Sequence, residues 1–157
     1  MSRRFVFLAI LLAVALAIPT LAQAQKPDFS GKWVQDMDKS DPAPAGRAGG
    51  GGRGPAGPQA FTITQTATEF TLERETPNGP QKTVYKLDGT ESSNPGRGGD
   101  VKSKTTWDGA KLVTTYQQTM GENTVDVTET RTIEADGTLK LVTARGANAR
   151  TMVFKKG

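Results

Sequence analysis

The sequence predicts an all-β fold: an antiparallel up-and-down β-barrel of about nine strands behind a removable leader. Three observations predict it. From residue 60 onward, short segments alternate apolar and polar residues with period two and are rich in threonine, as half-exposed pleated strands are. Asp88-Gly89, Asp108-Gly109 and Asp136-Gly137 each fall between two such segments, and Asp-Gly supplies the positive φ values of tight hairpins. No segment after the leader has helical periodicity of useful length. A meander of this many strands leaves exposed edges unless it closes on itself, so a barrel is the economical arrangement and a β-sandwich the alternative.

The leader spans residues 1–24. Met1-Ser2-Arg3-Arg4 is a basic head, Phe5 to Ile18 is an unbroken apolar run, and the segment ends in Ala22-Gln23-Ala24. These are the three parts of a secretory signal peptide. The apolar run is shorter than the ~20 residues of a membrane span. Cleavage is expected between Ala24 and Gln25, giving an exported protein, periplasmic or extracellular, with no stable membrane span. Cleavage removes two of the 20 Lys and Arg and no acid, leaving 18 basic against 16 acidic residues and a net charge of +2. So small a charge gives no strong steering toward nucleic acid or membranes, and no nucleic-acid partner is expected. The 133 residues from 25 to 157 fit one domain with its own core.

The strands follow in order. Gly31–Gln35 opens the series. Phe61 to Thr66, Phe70 to Arg74 and Val84 to Leu87 come next, with a turn at Asn78-Gly79 between Pro77 and Pro80. Then come Val101 to Trp107, Lys111 to Gln118, Val125 to Ile133, Leu139 to Thr143 and Thr151 to Lys155. Asn94-Pro95-Gly96-Arg97-Gly98-Gly99 reads as a loop. The segment 41–58 reads as a flexible Gly/Pro/Arg loop: seven of the twelve residues from Gly46 to Gly57 are glycine, and nothing larger than Ala is apolar.

Phe29-Ser30-Gly31-Lys32-Trp33 resembles the opening motif of the lipocalins and intracellular fatty-acid-binding proteins, the calycin superfamily. Thr151 to Lys156 is similar to the closing strand of fatty-acid-binding proteins. With Asp38-Lys39-Ser40, Trp107-Asp108-Gly109 and Val127 to Thr130, the chain resembles small exported bacterial proteins of lipocalin-like type over roughly residues 28–157. The resemblance implies a barrel in which Trp33 plugs one end, Gly31 lets the backbone come close, and a basic residue near the C-terminus (Arg150, Lys155 or Lys156) covers the indole. It also implies a small apolar ligand. In fatty-acid-binding proteins an Arg-x-Tyr pair on the closing strand holds the ligand carboxylate; here those positions are Met152 and Phe154, which cannot. A neutral apolar ligand, or a packed interior, is the expectation.

Phe61, Ile63, Phe70, Leu72, Tyr85, Trp107, Tyr116, Arg131, Met152 and Phe154 are the candidate ligand-lining residues, each of which could equally be plain core. In the row Val125, Val127, Glu129, Arg131, Ile133, the charged Glu129 and Arg131 interrupt an apolar face. A bend or bulge that turns this pair to solvent is the plainer expectation; the other is a polar anchor inside the barrel.

The chain has no Cys and no His, which excludes disulfides, thiolate catalysis, imidazole bases and the usual zinc, copper and haem ligands. Asp36 to Asp41 has the spacing that begins a calcium loop, but Asp41 and Arg47 stand where Gly and Glu are required, so no metal and no cofactor are expected. The reading is a non-catalytic exported binder of a small hydrophobic molecule. The alternative is an envelope or extracellular interaction module with a filled core, meeting partners through its Arg/Gly-rich loops.

Overall fold

The structure, a computed structural model, describes residues 25–42, 58–77, 79–96, 99–120 and 123–157. Residues 1–24, with the leader, and 43–57, most of the Gly/Pro/Arg loop, lie outside the described residues. The elements are β1 (Gly31–Asp36), β2 (Ala60–Gln65), β3 (Glu69–Thr76), β4 (Gly79–Lys86), β5 (Glu91–Gly96), β6 (Gly99–Asp108), β7 (Lys111–Met120), β8 (Asn123–Ile133), β9 (Leu139–Arg145) and β10 (Asn148–Lys156). All pairings are antiparallel, in the order β4-β3-β2-β1-β10-β9-β8-β7-β6-β5. Sequence neighbours pair throughout except β4 and β5, and β1 joins β10, with Trp33 opposite Lys156 and Gln35 opposite Phe154. The result is an up-and-down barrel, nearly closed.

Closure is incomplete at one seam. No backbone ladder joins β4 to β5. Side chains of β5 bridge it instead. Asn94 accepts from the Val84 amide through Oδ1 and donates to the Val84 carbonyl through Nδ2, both at 2.8 Å. The Ser92 hydroxyl accepts from the Lys86 amide at 2.8 Å. These bonds occupy backbone groups that an open edge would present to other chains.

The seam explains where the sequence reading falls short. Ten strands form rather than nine, because Glu91–Gly96 is a strand and not part of a loop. Its inward residues, Ser92 and Asn94, are polar because they reach sideways to β4, so no apolar alternation marks them. Pro95 in β5 and Pro80 in β4 lie on the two strands that flank the seam, where a missing N–H breaks no ladder. Hence β4 begins at Gly79, ahead of the expected Val84.

Each Asp-Gly pair lies at a turn, with Gly89, Gly109 and Gly137 at φ 82°, 59° and 78°, but no aspartate among the described residues has a positive φ, so these are not the type I′ turns that Asp-Gly favours. In two of them the aspartate also closes the turn: Asp88 and Asp136 each accept from the amide and hydroxyl of the threonine two residues on. At this end of the barrel lies the core, formed by Phe29, Trp33, Phe61, Ile63, Phe70, Leu72, Leu87, Leu112, Leu139 and Phe154. Phe29 sits at its centre, edge-on to Phe70 and stacked on Trp107, with ring centroids 6.0 Å apart in both cases. The Gln65 side chain fixes the approach to Phe29, accepting from its amide and donating to the Pro27 carbonyl.

Trp33 is the expected plug: 1% exposed, with its indole N–H donating to the Phe29 carbonyl at 2.8 Å. The covering cation is Lys156, 4.2 Å from the ring centroid. Gly31 makes that cover possible. A Cβ on Gly31 would lie 2.5 Å from the Lys156 ammonium, and its φ of 128° disfavours any other residue. The Gly-x-Trp spacing is thus a packing requirement involving the first and last strands.

Candidate functional site

The inward rows of β6, β7 and β8 converge above the apolar plug. Register places Thr105 opposite Thr114, Thr114 opposite Glu129, and Leu112 opposite Arg131. The ladder between β7 and β8 runs without interruption from Leu112 to Met120. No bulge turns Glu129 and Arg131 outward. This corrects the plainer expectation: the pair is inside, with side chains 16% and 5% exposed.

Their hydrogen bonds form a connected set. The Arg131 Nη2 pairs with Glu129 Oε2. Nη1 donates to the Thr114 hydroxyl at 3.2 Å, and Thr114 in turn meets the Thr105 hydroxyl at 2.9 Å. The Tyr116 hydroxyl donates to Glu129 Oε1 at 3.1 Å. The guanidinium carbon lies 5.3 Å from the centroid of the Phe70 ring and 5.6 Å from that of Tyr85, so aromatic faces cover what hydrogen bonds do not. Burial is the largest influence on Arg131 and would lower its pKa, but the Glu129 carboxylate together with Tyr85 and Tyr116 raises it above the ordinary value. Burial pushes both tyrosine pKa values up, and at Tyr116 the Glu129 carboxylate adds to the effect.

The candidate lining residues divide between the two environments. Phe61, Ile63, Phe70, Leu72 and Phe154 are buried in the plug, and Tyr85, Trp107 and Met152 pack against it half-buried. Tyr116 and Arg131 belong to the polar set. Sequence reasoning did not single out Thr105, Thr114, Ser103 or Gln118. The signal for Thr114 and Gln118 was the row Leu112, Thr114, Tyr116, Gln118, whose period-two spacing puts all four on one face. Ser103 Oγ and Gln118 Oε1 are buried and have no hydrogen-bond partner among the described residues.

Outside the barrel the features are plain. Asp36 Oδ1 and its carbonyl serve the Asp38 amide and the Ser40 hydroxyl, and Asp41 holds the Thr151 amide at 2.6 Å, so the calcium-like run is a hydrogen-bonded strand end. No group of three or more metal-ligating side chains occurs among the described residues, nor does a helix long and apolar enough to cross a membrane. Two shallow concavities, of about 560 and 720 Å³, lie on the outer wall, one beside the β8–β9 turn and one over β6, β7 and β8.

The nearly closed meander of ten antiparallel strands, with its Trp plug and inward polar set, is a lipocalin- and fatty-acid-binding-protein-like barrel. A solved structure described as the REP1-NXSQ fatty acid transporter shares the fold, with a TM-score of 0.61 and 17% sequence identity over 82% of this chain and 95% of that one. By sequence, neither a family model nor a curated protein matches the chain.

Proposed function

We propose that the protein is a non-catalytic binder, exported by its leader, that holds a small apolar molecule inside the barrel. One observation carries the reading. Beyond the plug, Tyr116, Gln118, Val125 and Thr143 belong to inward rows yet are only half-buried, so the side chains of the described residues do not seal that length of the interior. The likeness to a structure described as a fatty acid transporter supports a ligand in this position. Binding sites of this kind combine apolar walls with a few placed polar groups, as the half-buried Tyr85 and Met152 and the Arg131 set do here.

Titration with N-phenyl-1-naphthylamine, an uncharged fluorophore, tests the reading. Saturable, blue-shifted emission at one site per chain is the expected result. Absence of uptake would refute it and favour the competing interaction module with a filled core, whose ten-residue plug is its main support. N-terminal sequencing of the exported protein should begin at Gln25.

A further inference from the structure

We infer that the interior selects uncharged apolar molecules bearing a hydroxyl or amide, and that Glu129 is the residue that excludes carboxylates. The inference rests on the reading of the barrel as a binder and adds the class of ligand.

The argument starts from what Arg131 already holds. Its guanidinium is committed to Glu129 and Thr114 and faced by two rings. Both Glu129 oxygens are used, one by Arg131 and one by Tyr116. The set is therefore balanced in charge and complete in itself. A ligand carboxylate brought beside it would add a second anion next to Glu129 in a poorly solvated interior, which is costly. Displacing Glu129 instead would strand its own carboxylate without a partner.

Two of the unsatisfied groups among the described residues are uncharged and sit one step along the barrel. Ser103 is directly opposite Tyr116, and Gln118 is two residues further on the same inward row, so the two are diagonal neighbours. Ser103 Oγ can donate or accept, and Gln118 Oε1 accepts. Neither has a partner among the described residues. A hydroxyl or an amide, each both donor and acceptor, satisfies the two together; a carboxylate, acceptor only, leaves Gln118 Oε1 facing another acceptor. Three other arginines stand on inward rows: Arg74 and Arg145, both exposed, and half-buried Arg150, which donates through Nη2 to the Asp41 carbonyl at 3.3 Å and whose buried Nε has no partner among the described residues. The Arg150 donor serves a neutral oxygen as well as an anionic one, and water screens the two exposed guanidinium groups, so discrimination falls to Glu129.

Calorimetric titration of the purified protein with 1-dodecanol and with dodecanoate, near neutral pH, tests this. Dodecanol should bind at least about tenfold tighter than dodecanoate, the scale of one poorly compensated charge contact. Glu129→Gln keeps the shape and frees Arg131, and should raise dodecanoate affinity about tenfold. Ser103→Ala should weaken dodecanol by about three- to tenfold, the worth of one hydrogen bond, without affecting dodecanoate. Melting curves of both variants establish that they fold. Dodecanoate binding as tightly as dodecanol in the unaltered protein overturns the inference whatever the variants do. Uptake of N-phenyl-1-naphthylamine with binding of neither dodecyl compound also overturns it while sparing the binder; failure of all three probes removes the binder itself.

Discussion

At the Asp-Gly end of the barrel, Phe29, Trp33, Phe70 and Phe154 are sealed from water and held chiefly by packing, with one indole hydrogen bond and the Lys156 cover on Trp33. One level further along, Thr105, Thr114 and Arg131 are sealed as well, but each depends on a particular partner. The first environment tolerates change in proportion to lost volume. The second responds to lost pairing, and removing both partners should do less harm than removing one. That difference separates a region built for cohesion from a region built for selectivity.

The largest effects test the two environments directly. Trp33→Ala should destabilise by about 3–5 kcal/mol in urea unfolding, through lost contacts and a cavity. A near-silent change would show that the indole plugs nothing. Arg131→Met should cost a comparable ~3–5 kcal/mol, because Glu129 is left buried without its cation. Adding Glu129→Leu to Arg131→Met should recover most of that loss, since well-packed apolar pairs replace buried ion pairs at little cost. If the double variant is as unstable as the single one, pairing is not what distinguishes this level.

The tyrosines sharpen the same contrast. The chain has two, Tyr85 and Tyr116, and both have pKa values raised above the ordinary 10 by burial. Their neutral forms are favoured by folding, so their contribution is complete below pH 10 and is lost as pH rises above it. An absorbance titration should show no tyrosinate near pH 10 in the folded protein, with ionisation and unfolding arriving together at higher pH. A tyrosine titrating with an ordinary midpoint would place that ring in water.

The smallest effect lies on the outside of the packed end. Asp136 is held at a pKa of about 2 by the Thr138 hydroxyl and amide and by Lys39, which is 3.1 Å away. Because the folded value lies below the ordinary 3.8, this contribution is present above about pH 4 and is lost as pH falls toward 2. Asp136→Asn should flatten the melting temperature over that window and lower it slightly at neutral pH, where the carboxylate's contribution is otherwise present. A large neutral-pH loss would mean that this exposed pair matters as much as the buried one, against the general weakness of surface ion pairs.

Most of the architecture was legible because period-two alternation and Asp-Gly turns are local signals, written within a few residues. The fifth strand was not, because its inward Ser92 and Asn94 bond to a neighbouring strand and carry no apolar stripe. The polar site was half legible. Glu129 and Arg131 stood out as charges on an apolar row, but whether they faced in or out depended on an unbroken β8 ladder. Thr105 and Ser103 were silent, because a hydroxyl residue in a strand looks the same on either face, and Thr114 showed only as one step of the row Leu112 to Gln118. Their partners are set by register across three strands, and register is a property of the assembled sheet. The choice of Lys156 over Arg150 or Lys155 was open for the same reason: it follows from the pairing of Trp33 with Lys156.

The union of β1 with β10 has a consequence for the order in which the barrel can assemble. Every other ladder joins strands that are neighbours in the chain, so it can form as a hairpin without waiting for distant segments. The β1–β10 ladder must gather the two extremes of the domain, and it carries nearly all of the sequence separation that slows folding. The Gly157 amide already reaches the Lys32 carbonyl at 3.0 Å. A circular permutant that links Gly157 to Asp28 and opens the chain at Thr90, in the turn beside the unladdered seam, would make every ladder a local hairpin. It should refold faster than the natural order while building the same barrel.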